Sequence, residues 1–164
     1  MFKNLNYIFV SMFGIGNISK IPGSIASLTT VLMLLLLFHY LNVSVSKFLI
    51  FLLIIFIVSI FSINIYIKNK DNKDPKEVVI DEFVGQSIPI CLYEIGHPNT
   101  NSFIETLTIY FVIFILFRIF DITKPYPVSY YDKNFKNGFG VVMDDICAGL
   151  YVVVILVTYM ILFR

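Results

Sequence analysis

The sequence predicts an all-α, polytopic membrane bundle of about five embedded helices, the third of them short. Three observations carry that prediction. The chain is 58% hydrophobic and 14% charged, with a mean hydropathy of +0.85, which is the composition of a protein dissolved in lipid. Its apolar residues gather in five runs, at 25–41, 48–67, 78–93, 103–120 and 141–163. Its basic residues are shared unevenly between the connections. With the N-terminus in the cytoplasm and five crossings, ten of the twelve Lys and Arg fall inside, and only Lys47 and Arg164 fall outside. If the third run dipped in and out instead, the basic cluster from Arg118 to Lys136 would face outward, against that rule. The 164 residues suit one domain spanning 1–164.

The segment before the first run is too polar and too short for the apolar core of a signal peptide. Gly14-Ile15-Gly16 and Pro22-Gly23-Ser24 precede the first helix, and the second of these is a helix-start signal. Gly23 and Ser24 there offer free backbone N–H groups and a hydroxyl, an anion site in principle. The second run is long enough to span and ends in the Lys-rich loop 68–76, where Asp74-Pro75 stops any helix. That loop is read as a polar connection and nothing more.

The third run has 16 residues, a helix of roughly 24 Å, and carries Asp81-Glu82 near its start. After it, Gly96, Pro98 and Asn99 form an outer turn, with His97 as a solvated loop residue. The fourth run closes on Arg118-x-x-Asp121-x-x-Lys124, an i, i+3 series whose spacing allows the three to share a helix face. Pro125 ends that helix and pushes Lys124 out of the helical region. The fifth run opens on Asp144-Asp145.

An internal echo links the two acidic pairs. Val78-Val79-Ile80-Asp81-Glu82 matches Val141-Val142-Met143-Asp144-Asp145 at an offset of 63, and Gly85 falls opposite Ala148. Small residues one turn beyond the acids let helices approach closely in lipid. Two such helices side by side would bring four carboxylates together.

In this topology every unusual polar motif falls at one membrane surface. An ionisable residue at the edge of a membrane helix is costly, and its default reading is functional. A capping role for Asp144 would explain one aspartate but not two in a row. The competing reading is that these charges pair with one another and hold the helices in register. Seven charged residues at one depth exceed what anchoring requires.

Grouped carboxylates are ligands for hard cations, and Mg²⁺ takes oxygen donors together with substrate phosphate. Asp81, Glu82, Asp144 and Asp145 are therefore the candidate metal ligands. Asp121 joins them as the fifth candidate catalytic acid. Arg118, Lys124 and Ser24 are the candidate phosphate binders. A net charge of +1 gives no case for nucleic acid. Cys91 and Cys147 lie in apolar runs as small buried hydrophobes, with no CxxC. No Cys-x5-Arg loop and no Asp-x-Asp-x-Thr motif is present, so covalent catalysis by cysteine or histidine is not expected.

Several stretches together resemble the bacterial phosphatidylglycerophosphatase A family. They are Phe13-Gly-Ile-Gly16, Ile21-Pro-Gly-Ser-Ile-Ala-Ser-Leu28, Val79-Ile-Asp-Glu-Phe-Val-Gly85, Phe117-Arg-Ile-Phe-Asp-Ile-Thr-Lys-Pro-Tyr-Pro127, Tyr131-Asp132, and 138–149 with its Asp144-Asp145 pair. The resemblance implies Mg²⁺-dependent hydrolysis of the terminal phosphomonoester of phosphatidylglycerophosphate, giving phosphatidylglycerol. It implies a phospholipid substrate held in the bilayer, and a multi-pass protein of the bacterial cytoplasmic membrane whose active site faces the cytoplasm. By motif it implies Asp81, Glu82, Asp121, Asp144 and Asp145 as acidic site residues, with Arg118 and Lys124 beside them. Ser24 and Ala26 stand where the family usually has Thr and Gly; Ser24 keeps the hydroxyl.

Two other readings of the same residues stand beside this one. A phospholipid-phosphate transferase could use the same metal cluster, but the Asp-Gly-x-x-Ala-Arg signature is missing. An ion-coupled transporter would place its acids near the bilayer midplane rather than at one edge.

Overall fold

A computed structural model describes residues 2–97 and 102–162, and within them the chain is all-helical. Seven α-helices follow in order: α1 (Phe2–Val10), α2 (Pro22–Leu35), α3 (Val45–Ile67), α4 (Ile80–Gly96), α5 (Phe103–Thr123), α6 (Val128–Asn134) and α7 (Gly138–Leu162). A 3-10 turn at Ile15–Asn17 leads into α2, and a π turn at Leu36–Tyr40 extends it. Among the described residues, four segments are long and apolar enough to cross a membrane: Pro22–Tyr40, Val45–Ile67, Phe103–Thr123 and Gly138–Leu162. The fifth embedded helix, α4, has 17 residues, roughly 26 Å of helix, and is the most enclosed element of the bundle.

Glycine decides how α4 meets α7. A Cβ on Gly85 would lie 2.6 Å from the Asp145 carbonyl oxygen, and one on Gly149 would lie 2.4 Å from the Gly85 carbonyl oxygen. Farther along, a Cβ on Gly96 would lie 2.9 Å from the Met160 methyl. The two helices therefore run side by side in the same direction, at a register close to the offset of the sequence echo. Their backbones approach as closely as they do because no side chain stands between them.

The other helices are oriented by polar ties at their ends. The N-terminus of α2 abuts Glu82, since a Cβ on Gly23 would lie 2.2 Å from Glu82 Oε1. At the opposite end, His39 Nε2 lies 3.0 Å from Glu94 Oε1, and the fully buried Tyr110 donates its hydroxyl to that oxygen at 2.8 Å. So α2 runs parallel to α4 and α5 runs against it. A capping box of Ser102 and Glu105 starts α5.

The N-terminal helix α1 packs on α3, where Asn6 donates to the Ser62 carbonyl at 3.0 Å. An apolar trough of about 810 Å³ lies between α2 and α3, with Ile80 and Phe83 of α4 among its lining residues and Lys47 among them too.

Three local readings differ from the sequence expectation. The last helix begins at Gly138, because Asn137 accepts the Gly140 N–H at 3.0 Å and Asn64 accepts the Gly138 N–H at 2.8 Å. Asp144 and Asp145 thus sit in its second turn, past the reach of a first-turn dipole. Short polar segments become helices α1 and α6 through tertiary packing. His97 is half-buried and stacked on Tyr93 at 4.7 Å rather than solvated. Pro98 and Asn99 of the expected outer turn, and Arg164, lie outside the described residues.

Candidate active site

One chamber of about 460 Å³ collects the N-terminal ends of α2 and α4, the C-terminal end of α5, the second turn of α7 and the loop before α4. All eight residues singled out in the sequence line it: Ser24, Asp81, Glu82, Arg118, Asp121, Lys124, Asp144 and Asp145. Parallel packing of α4 on α7 accounts for the two acidic pairs. Antiparallel α5 delivers its C-terminal charges to the same end.

The carboxylates fall into two groups. Asp81, Glu82 and Asp145 each offer an oxygen within 4.8 Å of the others. Asp81 and Asp145 are buried, at 6% and 3% exposure. Asp81 Oδ1, Glu82 Oε2 and Asp145 Oδ2 are each buried with no hydrogen-bond partner among the described residues. Buried anionic oxygens without partners are costly, and a bound cation removes that cost. Three converging hard oxygen donors fit a divalent ion such as Mg²⁺, which Asp81, Glu82 and Asp145 would hold.

Asp144 stands outside this trio. Its Oδ2 accepts from Lys124 Nζ at 2.7 Å. Asp121 is likewise paired, with Arg118 Nη1 at 2.7 Å, and Arg118 Nη1 also reaches Ser27 Oγ at 3.4 Å.

Lys124 owes its position to the end of α5. Its backbone is left-handed, at φ 44° and ψ 58°, which turns the side chain off the helix face that holds Arg118 and Asp121. The i, i+3 alignment expected for all three therefore holds for the first two only. Lys124 bridges Asp144 on α7 and Asp132 on α6, both at 2.7 Å. Burial works against its charge, but these two acids outweigh it and raise its pKa. Burial would raise the Asp132 carboxyl, but the Lys124 bond and the nearby Lys136 and Lys133 hold it below its ordinary value. Both members of that pair are charged at neutral pH.

Two charged chamber residues were not read from the sequence as site residues, Asp74 and Lys76, both in the Lys-rich loop. The available signal was position. Both lie within seven residues of Asp81, beside the Pro75 stop, on the side of the membrane assigned to every other motif.

Fold and site together define a class: a multi-pass membrane protein whose helices converge at one end on a buried carboxylate trio flanked by cations. The sequence profile of Phosphatidylglycerophosphatase A matches residues 8–160. A Phosphatidylglycerophosphatase A of Haemophilus influenzae is 32% identical over 145 residues, covering 87% of this chain and 81% of its own length. One from Escherichia coli is 29% identical over 143 residues, covering 84% and 73%. A putative phosphatidylinositol-3-phosphatase of Bacteroides thetaiotaomicron is 44% identical, but over 81 residues only, 48% of this chain and 45% of that protein. No solved structure is significantly similar. The chain belongs to the phosphatidylglycerophosphatase A family.

Proposed function

We propose that this protein removes the terminal phosphate of phosphatidylglycerophosphate, releasing phosphatidylglycerol into the bilayer, with a divalent cation, Mg²⁺ by its ligand chemistry, at the Asp81, Glu82 and Asp145 trio. The observation that carries the reading is the convergence of Asp81, Glu82 and Asp145, each of which also has a buried carboxylate oxygen without a hydrogen-bond partner among the described residues, in a chamber of about 460 Å³. The chamber's charge supports the cation. Asp74, Asp81, Glu82, Asp121, Asp144 and Asp145 face only Lys76, Arg118 and Lys124. A phosphomonoester entering that surplus of negative charge alone would be repelled.

A cation bound there supplies Lewis-acid polarisation of the phosphoryl oxygens. The remaining work belongs to side chains. Arg118 and Lys124 face the chamber from one wall, where they offset charge developing on the phosphoryl group as it transfers. Asp121 and Asp132 hold those cations in place. We assign proton transfer from the attacking water to Asp121 or Asp144, the helix-borne acids of the chamber outside the trio. As the water oxygen bonds to phosphorus, the P–O bond to the glycerol breaks, and the departing glycerol oxygen takes up the proton from that acid, leaving phosphatidylglycerol with a free hydroxyl. In this reading the acyl chains stay in lipid, the N-terminus and the chamber face the cytoplasm, and the protein resides in the bacterial cytoplasmic membrane.

The test is phosphate release from phosphatidylglycerophosphate by purified protein. Chelation with EDTA is expected to abolish it and Mg²⁺ to restore it. Asp145→Asn is expected to lower turnover at least about a hundredfold while leaving membrane insertion intact. Undiminished turnover after exhaustive chelation would remove the metal from the mechanism.

A further inference from the structure

Lys76 is the chamber cation with no assigned work. Arg118 is paired with Asp121, and Lys124 with Asp132 and Asp144. Lys76 lines the same chamber, is exposed, and has no carboxylate or hydrogen-bond acceptor among the described residues.

Its isolation is built into the loop. The neighbouring acid, Glu77, is drawn away, its Oε1 accepting from Lys70 Nζ at 2.6 Å and from Tyr66 Oη at 2.8 Å. Lys73 is tied to the end of α3, donating to the carbonyls of Ile67 at 3.1 Å and Lys70 at 2.6 Å. The backbone around Lys76 is fixed on both sides. Val78 N–H donates to the Pro75 carbonyl and Val79 N–H to the Val10 carbonyl, each at 2.9 Å. The turn at Gly16 approaches Glu77 so closely that a Cβ would lie 2.2 Å from the Glu77 carbonyl oxygen. An exposed cationic side chain thus lines the chamber from a hydrogen-bonded stretch of backbone, in the cavity that also holds the buried Asp81, Asp144 and Asp145.

The substrate carries two phosphates. The terminal monoester must reach the buried trio, so the phosphodiester, one glycerol away, stays nearer the rim. We propose that Lys76 binds the phosphodiester of phosphatidylglycerophosphate and thereby selects a two-phosphate headgroup. This rests on the reaction proposed above.

The two products separate the two phosphates. Phosphatidylglycerol keeps the diester, and inorganic phosphate mimics the monoester. In mixed micelles, Lys76→Ala is expected to raise KM for phosphatidylglycerophosphate about tenfold with kcat within about twofold, the size of one lost charge-assisted hydrogen bond. The inhibition constant for phosphatidylglycerol should rise by the same factor, while that for inorganic phosphate stays fixed. Lys76→Arg should restore both. Unchanged KM, a collapse of kcat, or equal weakening of both products would overturn the assignment. Absence of phosphate release by the wild-type enzyme would instead overturn the reaction on which it rests.

Discussion

A single methyl group added at Gly23 would lie 2.2 Å from Glu82 Oε1 and 3.2 Å from Arg118 Nη1. Both atoms end flexible side chains, so the fold can yield there and the chemistry cannot. Gly23→Ala is expected to leave the unfolding temperature nearly unchanged and to cut kcat/KM by about a hundredfold, the cost of misplacing reacting groups by about an ångström. Thermal unfolding in detergent beside phosphate-release kinetics checks both halves. The sequence already displayed most residues of this site, because a charged side chain within or beside an apolar run is conspicuous. Lys76 was hidden for the opposite reason. Four lysines share its loop, at 68, 70, 73 and 76, and nothing local tells them apart. Only the folded loop draws Lys70 and Lys73 into other bonds and leaves Lys76 over the chamber. The division of the acids was hidden too, since adjacent Asp144 and Asp145 differ only in which helix each one faces.

Helices α4 and α7 act as one element, joined through Gly85 and Gly149. Gly85→Ala would press a methyl against the Asp145 carbonyl oxygen at 2.6 Å, backbone against backbone, with no flexible atom to give way. The expected result is a loss of about 1–3 kcal/mol of stability, typical of overpacking, together with loss of activity as Asp145 moves from Asp81 and Glu82. An active variant of unchanged unfolding temperature would show that the close approach is not needed. The echo at offset 63 pointed to this pairing, but five similar residues could not establish it. Helix starts were harder to read. Hydropathy placed the start of α7 at Val141, whereas the caps from Asn137 and Asn64 set it at Gly138, and one of those caps comes from a distant helix.

The whole bundle has two polar ends, the chamber at one and the His39, Glu94 and Tyr110 cluster at the other. In the function proposed above the chamber end faces the cytoplasm, a reading that rests on the distribution of basic residues. With the native cysteines replaced by serine, Asn72→Cys is expected to react with an impermeant maleimide only in inverted vesicles, and Ser46→Cys only in intact spheroplasts. The reverse pattern would place the chamber outside. Sequence by itself determined the solvent and about how many segments are embedded, and it displayed most of the charged residues that the fold gathers in the chamber, because burying backbone in lipid demands long apolar helices and makes charges within them conspicuous. Tertiary structure alone decided which acids converge and which are ion-paired, and which loop lysine lines the chamber. Those outcomes depend on how closely two helices approach and how a loop folds back, distances that the order of residues along a chain does not contain.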